Sequence, residues 1–196
     1  MDAAEIDRID SFVHHLKYER RLSPETCKHY RRDLLALRAW CDETELGRWS
    51  ELDSEHLRSY SAACFRRGLS PRTIQRRLSA ARTFFRFLLR EKHVNRNPAQ
   101  SVSAPRGKKR LPENLDADRM ARLLEIPGDT PLVNRDRAIL ELLYSSGLRL
   151  AELADLNLGD VDARDATVRV TGKGNKDRIV PVGSRALEAL SRWHRS

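Results

Sequence analysis

The chain has 196 residues, 40% of them hydrophobic and 33% charged, enough for one sizeable core or two small ones, since domains usually run ~100 to 200 residues. Its 37 Lys and Arg against 28 Asp and Glu give a formal charge of +9 and a pI near 9.9, which points to a polyanionic partner, either nucleic acid or an acidic membrane surface. The acidic opening MDAAEIDRIDSF carries no long apolar run, so neither a secretory signal nor a membrane span is expected and a cytoplasmic location is.

Up to about residue 95, apolar residues recur at helical spacing in four blocks. Ile6, Ile9, Phe12, Val13 and Leu16 mark the first; Cys27, Tyr30, Leu34, Leu37 and Cys41 the second; Leu57, Tyr60 and Cys64 the third; Ile74, Leu78, Ala81, Phe85 and Leu88 the fourth. Four helices joined by short turns predict a compact bundle. Cys27, Cys41 and Cys64 fall on apolar sides and form no CxxC or Cys/His pair, which reads as reduced core thiols and no metal site.

An echo marks two of the helix starts: LSPET at Leu22–Thr26 and LSPRT at Leu69–Thr73. In each, Ser suits the N-cap and Pro the first helical position, where a missing N–H costs nothing. The fourth helix then sets its apolar stripe against Arg72, Gln75, Arg76, Ser79, Arg82, Thr83, Arg86 and Arg90, with no acid before Glu91. A solvated face normally mixes signs so that opposite charges pair. An acid-free face of Arg, Gln, Ser and Thr is the residue set for DNA phosphates and base edges.

After Lys92 the composition turns to Pro, small polar residues and the cluster Arg106, Lys108, Lys109, Arg110. Residues 96–112 therefore read as a basic extended linker, either a tether along a phosphate backbone or a soluble spacer. Beyond it, from 113 to 196, the pattern changes class. Two helical stretches and a short third, LRLAELADL, precede ATVRVTGKGNKDRIVPV, which alternates with period two around a Gly/Asn turn and predicts a β-hairpin. A final helix begins in SRALEALSRWHRS.

Two residues stand out in this half. Arg149 sits between Leu148 and Leu150 just after Gly147, at a helix start. There it is either a fixed cation for an oxyanion or the partner of Glu152 or Asp155 in a structural ion pair. Lys173 lies at the hairpin tip between two glycines; TGKGNK joins two strands and opens no helix, so it is not a phosphate-cradling Walker loop.

Taken together, YSSGLRLAELADLNLGDVD and VRVTGKGNKDRIVPV resemble the catalytic-domain start of the tyrosine recombinases. The stretches LSPETCKHYRRDL, VSAPRGKKRLPENLDADRMARLLE and VNRDRAILELLY bring the resemblance nearer to the bacterial chromosome-dimer recombinases. The resemblance implies a mainly α fold: a four-helix, SAM-like core-binding domain over 1–95, the linker, and the start of an α+β catalytic domain over 113–196. It implies that Arg149 contacts the scissile phosphate, that Lys173 protonates the leaving 5′ oxygen, and that Glu152 orients the arginine. No metal or other cofactor is implied. The implied partners are double-stranded DNA at a dif-like site, a sister recombinase in a heterotetramer and a septal DNA translocase, with no membrane.

The family's later motifs, His-x-x-Arg and a nucleophilic tyrosine, are not found after the hairpin. His93 and Arg96 have that spacing but precede Arg149, as do Tyr18, Tyr30, Tyr60 and Tyr144, which suit helix core or boundary positions. A truncated recombinase, unable to cleave alone, is expected. A DNA-binding remnant without chemistry and a phage or transposon integrase are the alternatives.

Overall fold

Asp2 opens the first helix, α1 (Ala3–His14), by accepting the Glu5 N–H at 3.0 Å. The helix then widens into a single π turn over His15–Glu19. Ser23 and Ser70 cap α2 (Pro24–Glu43) and α4 (Pro71–Arg90) in the same way, each accepting the N–H of the threonine three residues on, with proline at the start of both helices. Asp53 caps α3 (Ser54–Arg66). The computed structural model describes residues 1–107, 114–172 and 176–196, and divides into two compact units, Met1–Arg110 and Leu111–Ser196.

In the first unit α4 is the central element, packed by α1, α2 and α3. Its Ile74, Leu78, Phe84, Phe85 and Leu88 are buried to 1% exposure or less, against Ile9, Phe12, Leu34, Leu37 and Leu57. Phe12, Trp49, Phe84 and Phe85 meet edge to face with centroids 5.1 to 5.8 Å apart, the geometry that aromatic quadrupoles favour. Trp49 sits in a one-turn 3₁₀ helix (Trp49–Glu51) that periodicity does not reveal. Its indole N–H donates to the Glu5 carbonyl at 2.8 Å, which satisfies the one polar atom of a fully buried side chain.

The segment that reads as linker starts inside this unit. Val94, Pro98, Ala99 and Val102 are buried, and Asn97 donates to the Arg82 carbonyl at 2.9 Å while accepting the Ala99 N–H at 3.1 Å. Small apolar side chains in a Pro-containing turn are enough to continue the core. The three cysteines are buried and free, as their positions predict, and burial pushes the Cys41 thiol up to about 12.

The second unit begins with α5 (Ala117–Leu124), capped by Asp116, and α6 (Pro131–Ser146), capped by Thr130. Gly147 ends α6 at φ +58°, a left-handed turn that a residue with a Cβ adopts only at a cost. The chain then enters α7 (Leu150–Ala154) and an antiparallel sheet of β1 (Val161–Asp162), β2 (Thr167–Gly172) and β3 (Lys176–Pro181), in the order β1-β2-β3. The expected hairpin is β2–β3, with Val168 opposite Val180 and Val170 opposite Arg178. Helix α8 (Ser184–Arg195) packs on α6, and Leu142, Leu148, Val168, Val170, Val182 and Ala186 form this core. The architecture is mainly α with one small sheet. Among the described residues no helix is long and apolar enough to cross a membrane, and no group of three His, Cys, Asp or Glu side chains is arranged to hold a metal.

Candidate functional site

Two places gather the residues that sequence reasoning singles out, one in each unit. In the first, Arg72, Gln75, Arg76 and Ser79 line a groove of about 530 Å³ together with Tyr30 and Ser70. A second groove, of about 940 Å³, joins Arg72, Gln75 and Arg82 of α4 to Ser103, Pro105 and Arg106 of the segment that follows it. Arg72, Gln75, Arg86 and Arg90 are exposed.

Several members of this face are already engaged. Arg76 pairs with Asp33 of α2. Arg82 donates to the Ala99 carbonyl at 3.2 Å and to the Val102 carbonyl at 3.1 Å, and so holds down the chain leaving α4. Arg90 lies over the Phe87 ring, 2.9 Å from Glu91 and 3.7 Å from Glu19. The Thr83 hydroxyl donates to the Ser79 carbonyl, within its own helix turn. The face is free of acid along α4, yet other elements bring acids to it.

The second place is built around Glu152. The left-handed Gly147 turns the chain so that Leu148 enters the core while Arg149, at the N-cap of α7, points outward with its side chain 71% exposed. Glu152, one turn on, folds back as in a capping box. Its side chain is 4% exposed, and its two oxygens receive four hydrogen bonds. Oε1 accepts from Arg149 Nη1 at 2.8 Å and Arg178 Nη1 at 2.5 Å; Oε2 accepts from the Arg149 backbone N–H at 2.8 Å and Arg178 Nη2 at 2.8 Å. Four donors fill the acceptor capacity of a carboxylate. The Arg178 bonds, followed by the Arg149 backbone bond, hold this carboxyl at about 2, well below its ordinary 4.5.

Among the described residues two guanidiniums share one carboxylate, so together these three side chains keep one net positive charge. That charge is carried outward on Arg149, whose planar fork suits a phosphate oxygen pair. The ion pair with Glu152, one of the two readings the sequence allows, is therefore present, and the side chain that makes it stays exposed.

Gly172, the last residue of β2, closes this site. A Cβ there would meet Arg178 Nη1 at 3.2 Å and Glu152 Oε1 at 3.6 Å, so the hairpin passes close against the ion cluster and a side chain at this point would press on the Arg178 guanidinium. Lys173, like Lys108, Lys109 and Arg110, lies outside the described residues.

Sequence reasoning misses Arg178 and Asp33. Both had a signal. Val180 of β3 and Val182 just after it turn inward, and extending that alternation back places Arg178 on the inner face while Ile179 is 70% exposed. Asp33 falls on the α2 stripe of Tyr30, Leu34 and Leu37, where a charge is out of pattern. Of the decoys, His93 and Arg96 are exposed, and Tyr60 is buried. Tyr18 and Tyr144, expected at core or boundary positions, are each 57% exposed, since both point away from their units' apolar clusters.

Comparison with known proteins adds to this picture. Residues 9–92 match the phage integrase N-terminal SAM-like domain, and residues 113–196 match the phage integrase family. The tyrosine recombinase XerC of Pseudomonas syringae pv. syringae (strain B728a) is 49% identical over 186 residues, covering 94% of this chain and 62% of that protein. The chain thus spans about three fifths of the length of such relatives. Among solved structures, a lambda integrase dimer bound to a COC′ core site has a TM-score of 0.73 at 18% identity, over 95% of this chain and 65% of that one. The XerH site-specific recombinase bound to its difH substrate has a TM-score of 0.68 at 19% identity, over 99% and 57%.

Proposed function

We propose, because this chain belongs to the phage integrase family of tyrosine recombinases, that it binds double-stranded DNA and supplies part of the active site of a XerC-type site-specific recombinase. In this reading residues 1–95 form the core-binding domain, 96–112 the basic linker and 113–196 the first part of the catalytic domain. The substrate is a dif-like site, the setting is chromosome-dimer resolution at cell division in the cytoplasm, and a XerD-like sister recombinase completes a heterotetramer under a septal DNA translocase.

The reaction this supports is phosphoryl transfer without a metal or nucleotide. A tyrosine hydroxyl gives up its proton as its oxygen bonds to the scissile phosphorus, the bond from phosphorus to the 5′ oxygen breaks, and the 5′ oxygen leaves as a hydroxyl after taking up a proton. Charge builds on the non-bridging oxygens, and a preorganised cation beside them lowers the barrier. Arg149 takes this role, Glu152 and Arg178 hold it, and Lys173, one residue beyond Gly172, delivers the proton. Later strand joining reverses the steps, so the phosphodiester energy is conserved in the 3′-phosphotyrosyl bond.

A single observation carries the reading: an exposed guanidinium anchored by a buried carboxylate whose four acceptor sites are all filled. In the recombinase that includes the later motifs, Arg149→Ala is expected to lower cleavage of a nicked duplex by ~10²- to 10³-fold while site binding stays close to wild type. Binding lost in step with cleavage would make Arg149 structural. The 196-residue chain alone is expected to bind duplex with steep salt dependence and to form no detergent-resistant adduct. An adduct would show that one of its own tyrosines is the nucleophile.

A further inference from the structure

The acid that meets the basic face of α4 has a position unlike that of a surface counter-charge. Asp33 is 2% exposed, in the apolar stripe of α2, and its Oδ2 accepts from Arg76 Nη1, a residue 43 positions away. Its other oxygen, Oδ1, has no hydrogen-bond donor among the described residues. Arg76 is its one ion-pair partner among them. Arg76 itself keeps 36% of its side chain exposed and lines the groove with Tyr30, Arg72, Gln75 and Ser79.

A buried carboxylate that loses its partner is left as an uncompensated charge in a poorly polarisable surrounding. Arg76 therefore cannot swing freely as surface arginines do. Its guanidinium has one terminal nitrogen committed to Asp33, and its planar geometry then fixes where the remaining N–H groups lie. We infer that Asp33 is a positioning residue for DNA: from inside the bundle it holds Arg76 in the groove, ordered before any phosphate arrives. The ordering cost that binding would otherwise carry is met in folding. This inference rests on the DNA-binding reading above and adds to it a residue that never touches the duplex.

Two consequences of Asp33 have opposite signs, which makes the inference testable. As a negative charge it weakens attraction for DNA; as an anchor it strengthens one contact. In the full chain, Asp33→Asn removes the charge and keeps the shape. With a mixed-sequence duplex oligonucleotide titrated across potassium chloride concentrations, the variant is expected to bind several-fold more weakly despite its extra net positive charge. Its slope of log affinity against log salt is expected to be shallower by about 0.9, the signature of one lost phosphate contact.

Unchanged or tighter binding with an unaltered slope would overturn the inference and leave Asp33 as an internal counter-ion. Wild-type chain that binds without salt dependence would instead overturn the DNA-binding reading itself. Should Asp33→Asn fail to melt cooperatively, Arg76→Lys decides. It keeps the charge and the pairing but replaces the divided planar fork by a point charge, so weaker binding is expected; full affinity would overturn the inference.

Discussion

Arg178 and Glu152 lie 26 positions apart in sequence and meet through two parallel hydrogen bonds of 2.5 and 2.8 Å. Arg178 stands opposite Val170 in the β2–β3 register, on the face that carries the core valines, so the apolar core ends in an ionic rim. Removing this guanidinium leaves a buried carboxylate with Arg149 as its one remaining guanidinium among the described residues. Arg178→Ala is expected to lower the thermal midpoint of the second unit and to raise the Glu152 pKa, with Arg149 drawn inward. Thermal melts and carboxyl-carbon NMR titration check both. An unchanged pKa would show that Arg149 alone sets it.

The same carboxyl makes the fold sensitive to acid. Its folded pKa of about 2 lies below the ordinary 4.5, so its contribution is complete above 4.5 and is lost as pH falls through the interval toward 2. Asp160, lowered mainly by the Asn157 backbone N–H, acts in the same direction. A plot of stability against pH is expected to fall below 4.5, and Glu152→Gln to be less stable at neutral pH with a flatter acid limb. Parallel wild-type and variant curves would assign the acid limb to other groups.

Arg82 belongs by sequence to the DNA-facing set, but its guanidinium is bonded to two backbone carbonyls. Arg82→Ala is therefore expected to destabilise the first unit by roughly 1.5 to 3 kcal/mol, the range for hydrogen bonds to a charged group, as read by urea denaturation. An unchanged urea midpoint would mean that the segment after α4 stays in place without it.

Burial raises the Cys41 thiol from 9.0 to about 12. The folded chain is expected to resist iodoacetamide at Cys41 near neutral pH, and the unfolded chain to react. Above pH 9.0 the unfolded thiol ionises while the folded one does not, so stability drops as pH climbs toward 12. Mass spectrometry of alkylated peptides, with and without denaturant, reads the first effect. Rapid native labelling of Cys41 would reveal a local opening.

What was legible in the sequence follows from range. Helices α1 to α4 announce themselves because their apolar spacing is local, and the paired Ser-Pro starts and Gly147 mark boundaries through backbone preferences that one or two residues decide. The hairpin shows by its alternation. Trp49 escapes notice because a single 3₁₀ turn has no period. Ala99 and Val102 look like linker because their side chains are small and their neighbours polar. The partners of Arg76 and Arg149 divide the same way: Glu152, three residues from Arg149, is readable, whereas Asp33 and Arg178 reach their partners only through tertiary packing. The acid-free face of α4 was a true statement about one helix and an incomplete one about the surface, since Asp33 and Glu19 come from α2 and the turn after α1.

The stitching of Asn97, Ala99 and Val102 onto α4 has a practical side. Anyone excising the helical bundle for expression would naturally cut where helical periodicity fades, near Asn95, and would discard the plug that seals one end of the core. Such a fragment would expose the apolar side chains that Ala99 and Val102 cover and leave the Arg82 guanidinium without its two carbonyls. Carrying the chain past Ala104 keeps the seal.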